Sequence, residues 1–528
     1  MLNRCQNCGG LLHYDIKNAC LKCESCDSQF EADKYDDRTE ADEQLGNNEI
    51  EMNVFTCPNC GGEISTNEKE AVEYCLYCGS FVTLDSQVQT VKRPDYILPF
   101  QKTVEDCKAE YKRKLRTRLY APKEFRDEKF LDGFKGIYIP FWDYEYSYGP
   151  KVEFKSVYVT RKGDYVYKQE YDINCDVEGS LDGICYDATS SLDDEISERI
   201  VPFDNDKLKP FNSSYMFGFY ADTADVSQKV YKKDADEVAQ NAMWDDVTSK
   251  INLDIEKGLP RKPDDDDFNR KFNVKSKSRL SMLPVWFLTW RNKDRVAYSV
   301  MNGDNGDLYA EIPVDIKKFL LISLITAVPI FFLMNILVTV GASDMLMTAV
   351  ILSTVMLILY SVELDRIIGR LWHIEDKGYL FNDKEAKKRA DMRNENLLLI
   401  LLDMLSGFKV AAVLIVVVGY FILFLFSPFI ALIVAVVLPI YALYRIIKAS
   451  KALADKTVWR DIAGALISLV ISLIMLFLDP ARDIIYYSMA VLCLLGDALT
   501  AIFLLRRYND LITRPLPHFF DRKAGGDK

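Results

Sequence analysis

Eight cysteines between residues 5 and 78 form four C-x-x-C pairs, a spacing in which two thiolates of one tight turn bind a single metal ion. The pairs make two units, the first with Cys5, Cys8, Cys23 and Cys26 and the second with Cys57, Cys60, Cys75 and Cys78. Each ligand of the second unit follows its counterpart by 52 residues, and so does the Gly-Gly pair after each first C-x-x-C. The repeat predicts two copies of one metal-binding unit.

The chemistry that this pattern predicts is structural zinc binding. Four thiolates complete a tetrahedral site, so no open position is left for a water nucleophile. We therefore expect two structural Zn²⁺ ions in two small β zinc ribbons, each with a short β-hairpin between its C-x-x-C pairs. Redox use of the pairs is the alternative. Cys20 offers a different second pair in the first unit, but the repeat favours Cys23 and Cys26.

The charge around these units argues against nucleic acid as a partner. Residues 1–90 hold six Lys and Arg against seventeen Asp and Glu, a net charge of −11. A nucleic-acid interface needs basic residues that displace counterions from phosphates. The stretch 31–53 between the units is acidic and poor in aromatic residues, which is typical of a flexible linker.

Residues 91–316 are rich in aromatic and β-branched residues and predict an α+β domain. Thr103 and Asp106 match a capping box that opens a helix. Residues 136–148 have the composition of a strand, and residues 161–164 that of a hairpin turn. The chain has only three histidines and no metalloprotease, P-loop, serine-hydrolase or dinucleotide-binding motif. The sequence therefore predicts no enzyme, although a carboxylate-only active site stays open.

The second part of the chain is apolar. Residues 1–318 carry a net charge of −15, whereas residues 319–528 carry +3 and nearly all the long apolar runs. Such runs predict helices that cross about 30 Å of hydrocarbon. We expect an all-α polytopic membrane domain of about six helices, with four or five full spans plus re-entrant segments as the alternative. The predicted spans are 319–340, 345–362, 411–426, 428–444, 462–478 and 484–505.

Basic residues predict the orientation of these helices. The three loops assigned outside contain a single basic residue, whereas the segments assigned inside contain nine, five and six. Because basic loops stay on the cytosolic side, both termini are predicted in the cytosol and the protein in the cytoplasmic membrane. The N-terminus lacks the pattern of a signal peptide. The connector 363–408 is amphipathic and basic, which favours a helix on the inner leaflet or a cytoplasmic hairpin that mediates homo-oligomerisation.

Asp497 lies in the last predicted span, where an ionised carboxylate costs about 3 kcal/mol on insertion scales. This residue is a candidate functional group, either as an ion or proton site or as a hydrogen bond that sets oligomerisation. The structural alternative is an Asp497 that is neutral and bonded to a neighbouring helix, or one that reaches water near the inner end of the span. We favour it, because the spans carry few other polar residues of the kind that transporters use.

These patterns divide the chain into a multidomain protein. A soluble head precedes a membrane domain, and the head itself has several parts. The predicted parts are zinc ribbon 1 (1–30), an acidic linker (31–53), zinc ribbon 2 (54–84), the aromatic-rich α+β cytosolic domain (91–316), the membrane domain with its connector (317–507) and a cytosolic tail (508–528).

Several segments of the head match the sequences of a known family. They are CPNCGG and CLYCGS, LPF before a basic helix that ends in LYAP, GIYIPFWDYEYSY, IVPFDNDKLKPFNSSYMFGFYAD, and PVWFLTWRNKDRVAYSVMNGDNGDLYAEIPV. Over most of residues 54–320 the chain resembles bacterial membrane-anchored proteins with TFIIB-type zinc ribbons. Some members are encoded near PspA-like and SPFH (flotillin-like) proteins, which implies membrane scaffolding or envelope-stress recruitment. Only the zinc ligands carry over from the resemblance.

The function that we expect is a membrane-anchored scaffold or adaptor. Its zinc-ribbon head would recruit cytosolic protein partners, with PspA-like and SPFH proteins as candidates. The alternative is a transporter or channel with a regulatory zinc-ribbon head. A membrane-tethered nucleic-acid-binding factor ranks third because the head is acidic, and an enzyme ranks fourth because no motif selects a site.

Overall fold

The computed structural model consists of a β-rich head and a body of long helices. It describes residues 4–35, 49–66, 74–81, 85–250, 259–337, 341–382, 387–388, 428–478 and 482–519. The strands are β1 (Leu12–Asp15), β2 (Cys20–Cys23), β3 (Gln29–Phe30), β4 (Glu49–Thr56), β5 (Glu63–Thr66), β6 (Asp85–Lys92), β7 (Tyr96–Ile97), β8 (Lys135–Tyr148), β9 (Lys151–Lys162), β10 (Tyr165–Asp176), β11 (Gly179–Asp187), β12 (Lys209–Pro210), β13 (Tyr220–Ala221), β14 (Leu259–Arg261), β15 (Lys275–Asn292), β16 (Arg295–Asn302), β17 (Leu308–Ala310) and β18 (Arg514–Pro515). The helices are α1 (Val104–Arg116), α2 (Glu128–Leu131), α3 (Asp194–Ile200), α4 (Lys232–Lys250), α5 (Asp265–Lys271), α6 (Ile316–Leu337), α7 (Ala342–Leu371), α8 (Lys377–Asn382), α9 (Pro428–Leu453), α10 (Thr457–Leu478) and α11 (Asp483–Ile512).

The first cysteine unit forms the hairpin that its sequence predicts. β1 pairs antiparallel with β2, with Leu12 opposite Cys23, so the second C-x-x-C begins where the hairpin ends. Leu12 and Leu21 are fully buried on one face of this hairpin. Cys20 lies on β2 outside the cluster of four thiols. The hairpin therefore brings the two C-x-x-C pairs together as expected.

The second cysteine unit is fused to the large sheet of the head. β5 lies between its two C-x-x-C pairs and joins β4 on one edge and β13 on the other, and β13 pairs in turn with β8. β4 starts at Glu49, inside the segment 31–53 that the sequence assigned to a flexible linker. Ile50 and Met52 alternate into the core here, and this apolar alternation outweighs the acidic composition. Residues 36–48 of the linker lie outside the described residues.

The centre of the head is formed by β8 and β15, which pair antiparallel along nearly the whole of β8. β8 is continuously buried over residues 136–144 and β15 over residues 280–289, as expected for strands that are covered on both faces. The capping box at the start of α1 is confirmed: the Thr103 backbone N–H donates to Asp106 Oδ2 at 2.8 Å, and the Asp106 N–H donates to Thr103 Oγ1. α1 then buries Cys107, Tyr111 and Leu115 against the sheet.

A hairpin arm, residues 151–176, is built from β9 and β10. The two strands pair over twelve residues each, and the turn predicted at 161–164 is confirmed, with Lys162 opposite Tyr165. β14 pairs with β9 only near residues 155–157, so the three-stranded sheet has the order β10-β9-β14. In the described part of the chain, β10 is therefore an edge strand, and at about 3.3 Å per residue the arm is about 40 Å long.

Within the described residues, the body contains four helices that are long and apolar enough to cross a membrane. Their apolar segments are Ile316–Leu333, Met345–Leu371, Thr457–Leu478 and Ile484–Ile512. α9 covers the predicted span 428–444 and continues to Leu453. The predicted span 411–426 lies outside the described residues. The chain is therefore a membrane protein with four candidate spans in its described part.

Two boundaries of the body differ from the sequence prediction. α7 runs without a break from the predicted span 345–362 into the predicted connector, because Leu364 and Ile368 continue its buried apolar face. The predicted tail 508–528 is not separate from the head: β18 pairs with β16, and the Phe519 N–H donates to the Cys60 carbonyl at 2.6 Å. The C-terminal segment thus returns to the second cysteine unit.

Candidate metal centres and their setting

The first cysteine cluster comprises the four thiols of the first unit. Cys5 Sγ lies 3.7 Å from Cys26 Sγ, and Cys8 Sγ lies 3.5 Å from Cys23 Sγ. The backbone folds tightly around each pair, since the Gly9 N–H donates to the Cys5 carbonyl at 2.8 Å. Gly9 has a φ of 73°, a value that favours glycine. The Gly-Gly pair of the repeat is therefore explained by the turn.

The second cluster repeats this geometry. The Sγ atoms of Cys57 and Cys78 lie 3.7 Å apart, as do those of Cys60 and Cys75. The Gly61 N–H donates to the Cys57 carbonyl at 2.7 Å, with a φ of 77° at this glycine. Each cluster also has an Asn side chain that donates to a Ser hydroxyl at 2.9 Å, and this Ser oxygen lies 3.2 Å from a cysteine sulfur. The matching groups are Asn7, Ser28 and Cys26 in the first cluster and Asn59, Ser80 and Cys78 in the second.

Both clusters fit a metal ion. Thiolates about 2.3 Å from a shared ion lie about 3.8 Å apart in a tetrahedron, and the measured separations are 3.5 to 3.7 Å. Backbone and side-chain donors face the sulfur atoms, as the Gly10 N–H does toward Cys8 Sγ at 3.4 Å and the Asn59 side-chain amide toward Cys78 Sγ at 3.5 Å. Such donors stabilise thiolate ligands. Each cluster can therefore hold one ion with no ligand from outside the chain.

The two clusters differ in burial. All four sulfur-bearing residues of the second cluster are fully buried, whereas Cys8 and Cys26 of the first are exposed. The second C-x-x-C of the second cluster lies on strands β15 and β16, and two side chains of these strands donate to its carbonyl groups. These bonds are Tyr298 Oη to the Tyr77 carbonyl at 2.6 Å and Arg291 Nη1 to the Cys78 carbonyl at 3.2 Å. The second cluster is therefore a part of the core of the head.

A buried carboxyl supports this second cluster. Asp222 accepts hydrogen bonds from the hydroxyls of Tyr77 and Thr189, at 2.6 and 2.8 Å, and from the Thr223 N–H at 2.8 Å. Burial raises the pKa of Asp222 to about 7, and these donors oppose the rise. The hydrogen bond to Tyr77 fixes the ring between the two cysteines of the C-x-x-C turn.

The first cluster is attached to the head at its inner side. The Tyr14 N–H donates to the Phe217 carbonyl at 2.9 Å, and the rings of Tyr14 and Tyr215 meet edge to face at 5.2 Å. The Ser214 hydroxyl donates to the Ala32 carbonyl at 2.8 Å. These contacts lie on the side of Cys5 and Cys23, so Cys8 and Cys26 face outward.

Asp497 joins three helices of the body. Its side chain is 1% exposed, with Oδ1 2.9 Å from Ser353 Oγ on α7 and Oδ2 3.1 Å from Ser468 Oγ on α10. Both carboxyl oxygens therefore have a partner on another helix. Nearby, Gly464 and Gly496 let α10 and α11 approach closely, since a Cβ at Gly464 would lie 2.1 Å from the Gly496 carbonyl oxygen. Asp497 thus lies within hydrogen-bond distance of two neighbouring helices of the same chain.

Head and body meet at a set of buried charges that the sequence did not reveal. Arg514, after the last helix, donates to Glu311 Oε1 from Nε at 3.0 Å and from Nη2 at 2.8 Å. Arg370, at the end of α7, pairs with Glu195 of α3 and lies 3.7 Å from Glu311. Arg507 on α11 pairs with Asp461 at 2.8 Å. The Arg514 and Arg370 pairs connect the head to the segment after α11 and to the end of α7, and the Arg507 pair joins α11 to α10.

The hairpin arm is a second candidate site that the sequence did not reveal. Tyr165, Tyr167 and Tyr171 alternate along β10 on one face, with 73, 51 and 36% of each residue exposed. Nearer the head the same face is covered, because Phe154 on β9 is buried opposite Ile173. The core-facing side of the arm thus continues outward as a row of exposed tyrosines.

Comparison with known proteins gives a distant relative. No family model and no solved structure matches this chain. The chain is similar to the uncharacterized protein YdjG of Bacillus subtilis strain 168, with 22% identity over 320 residues. The similar region covers 60% of this chain and 91% of that protein. This degree of identity shows a distant similarity, and no family follows from it.

Proposed function

We propose that this protein is a membrane-anchored adaptor that recruits a cytosolic protein through the hairpin arm of its metal-stabilised head. The observation that carries the proposal is the row of exposed tyrosines on the edge strand β10. Tyrosine provides large contact area at a low cost in side-chain entropy and is enriched at protein interfaces. A free strand edge beside it can pair with a strand of the partner.

The metal in both clusters is, in this proposal, zinc. Four thiolates in a closed tetrahedral set favour Zn²⁺ over metals that prefer oxygen ligands. The two ions have different roles. The second stabilises the core, because its ligands are all fully buried, whereas the first stabilises a unit whose outer cysteines face solvent. Recruitment through the first unit is the secondary route, and recruitment through the buried second unit is disfavoured.

The candidate partners follow from the resemblance of the sequence to membrane-anchored zinc-ribbon proteins. PspA-like and SPFH proteins are the first candidates for the cytosolic partner. The head is acidic, so a nucleic-acid partner stays disfavoured. Placement of the head in the cytosol is part of the proposal, and it rests on the reduced cysteine clusters and on the basic loops between the helices.

The alternative function, a transporter or channel, is supported by one residue, Asp497. Both of its carboxyl oxygens lie within hydrogen-bond distance of serine hydroxyls on neighbouring helices. This arrangement favours a structural role, and ion flux through proteoliposomes that contain the intact protein would revive the alternative.

The proposal is tested by affinity purification of the full-length protein in mild detergent, followed by mass spectrometry. We expect a stoichiometric cytosolic protein that is lost when Tyr167→Ser and Tyr171→Ser are combined. The matched control is Val238→Ser on α4, which removes an exposed apolar side chain elsewhere on the head. A partner that the tyrosine variant retains, or that only Cys26→Ser removes, would place recruitment outside the arm.

A further inference from the structure

Three side chains that can bind a metal meet where the head joins the body. Asp193 precedes α3 in the head, whereas His373 and Asp376 lie in the turn between α7 and α8. His373 Nδ1 lies 4.0 Å from Asp193 Oδ1 and 3.7 Å from Asp376 Oδ2. One ligand atom from each residue lies within 4.8 Å of the other two. The group is separate from both cysteine clusters and contains no cysteine.

One oxygen of this group is buried without a hydrogen bond. Asp376 is 5% exposed, and its Oδ1 accepts from the Tyr379 N–H at 2.8 Å. Its Oδ2, the atom that faces His373, has no hydrogen-bond partner in the described part of the chain. A buried carboxyl oxygen left without a partner is costly, so such an atom usually has a ligand or an ion.

The surrounding residues hold the three side chains in place. The imidazole of His373 stacks on the Tyr379 ring with centroids 3.9 Å apart, and His373 itself has a φ of 49°. Arg514 pairs with Asp193 Oδ2 and leaves Oδ1 directed at His373. Residues that contact metal ligands in this way orient the ligands and determine which of their atoms binds the ion.

We propose that Asp193, His373 and Asp376 bind a divalent first-row transition-metal ion. One imidazole and two carboxylates suit Mn²⁺, Fe²⁺, Co²⁺ or Zn²⁺ and differ from the all-thiolate clusters. Bonds of about 2.1 Å require the ligand atoms to move together by several tenths of an ångström from their present separations. Asp193 and His373 are partly exposed, so water fills the remaining coordination positions. The ion would tie the head to the end of α7.

The test is Mn²⁺ binding to the full-length protein in detergent, measured by electron paramagnetic resonance. Mn²⁺ has the lowest affinity in the divalent series for thiolate sites, so the cysteine clusters keep zinc. We expect one Mn²⁺ per chain, with affinity reduced more than about tenfold in His373→Gln and in Asp376→Asn. The matched control is His518→Gln, which removes a histidine outside the group and should leave binding unchanged.

Three results would overturn the proposal. The first is a chain that binds no third ion when Mn²⁺, Co²⁺ or Zn²⁺ is offered. The second is a third ion that both ligand variants retain. The third needs no variant: in the unaltered protein, bound Mn²⁺ should show hyperfine coupling to one imidazole nitrogen, and its absence would place the ion elsewhere. Two zinc ions retained by each variant would verify that the variant has folded.

Discussion

Equivalent cysteines in the two clusters should differ sharply in their effect on the protein. Cys26 and Cys78 occupy the same position of the repeat, 52 residues apart. Cys26 is exposed, and its unit packs on the rest of the head on the side of Cys5 and Cys23. Cys78 is fully buried and belongs to a turn that lies on β15 and β16. We predict that Cys26→Ser opens residues 4–35 locally, whereas Cys78→Ser unfolds the head.

The magnitude follows from the role of the ion. A structural tetrathiolate zinc contributes on the order of 10 kcal/mol to folding, and a whole domain is stable by only about 5–15 kcal/mol. Loss of the second ion therefore removes most of the net stability of the core that it shares. Loss of the first ion removes a similar free energy of folding, but only from the first cysteine unit, and the unfolding of this unit leaves the central strands in place.

The assay combines metal content with thermal unfolding of the full-length protein in detergent. Cys26→Ser should retain one zinc ion per chain and keep the main unfolding midpoint within a few degrees. Cys78→Ser should show no cooperative transition of the head. In the unaltered protein a chelator should remove one ion quickly and the second only at the rate of global unfolding. Equal midpoints for the two variants, or release of both ions at one rate, would refute the reasoning.

Three further predictions concern the body and the buried carboxyls. Gly464→Leu should separate α10 from α11, because its Cβ would meet the Gly496 carbonyl. Thermal unfolding should show a loss of stability of about 1–3 kcal/mol, whereas the control Ile467→Leu, on the exposed face of α10, should show none. Asp497→Leu should cost about 1–3 kcal/mol by leaving its serine partners unpaired, whereas Asp497→Asn should keep most of the stability; equal losses would argue against a structural hydrogen bond. Burial raises the pKa of Asp222 from 3.8 to about 7 in the folded protein, so the neutral carboxyl stabilises the fold. This contribution to the free energy of unfolding is complete below pH 4, and up to about 4 kcal/mol of it is lost as the pH rises to 7. Asp222→Asn should therefore flatten the dependence of the unfolding midpoint on pH, and parallel profiles for the two proteins would contradict this assignment.

Local patterns were predictable because their causes lie in adjacent residues. The ligands of both clusters follow from C-x-x-C spacing, and the start of α1 follows from Thr103 and Asp106. The turn of the hairpin arm could be found in the same way, since Gly163 and Asp164 suit a two-residue turn. In these cases a few neighbouring side chains determine the backbone.

The setting of the clusters was not predictable, because it depends on pairing between distant segments. β5 becomes part of the large sheet through β13, which is only two residues long and carries no strand signal of its own. The pairing of Arg514 with Glu311 likewise joins residues from opposite ends of the body. His373 looked like one of three scattered histidines until the fold placed Asp193 beside it. Spacing in the sequence could not reveal these contacts.

Five of the six predicted spans overlap described helices, and the sixth, 411–426, lies outside the described residues. Apolar composition did not predict how far the helices extend: α7 and α11 are each 30 residues long and continue beyond the predicted spans 345–362 and 484–505. Arg370 at the end of α7 pairs with Glu195 of the head, and Arg507 of α11 pairs with Asp461 of α10. These ends lie among ion pairs between segments far apart in the sequence, which composition alone does not show.

The central claim is that the hairpin arm binds a protein. The most direct measurement places a photo-crosslinking amino acid at Tyr167 of the full-length protein in living cells, with the same group at Val238 as the control. If the hairpin arm binds a protein, we expect one discrete cross-linked cytosolic protein from position 167 and none from position 238. Cross-links from position 167 to lipid alone, or the same products from both positions, would contradict it.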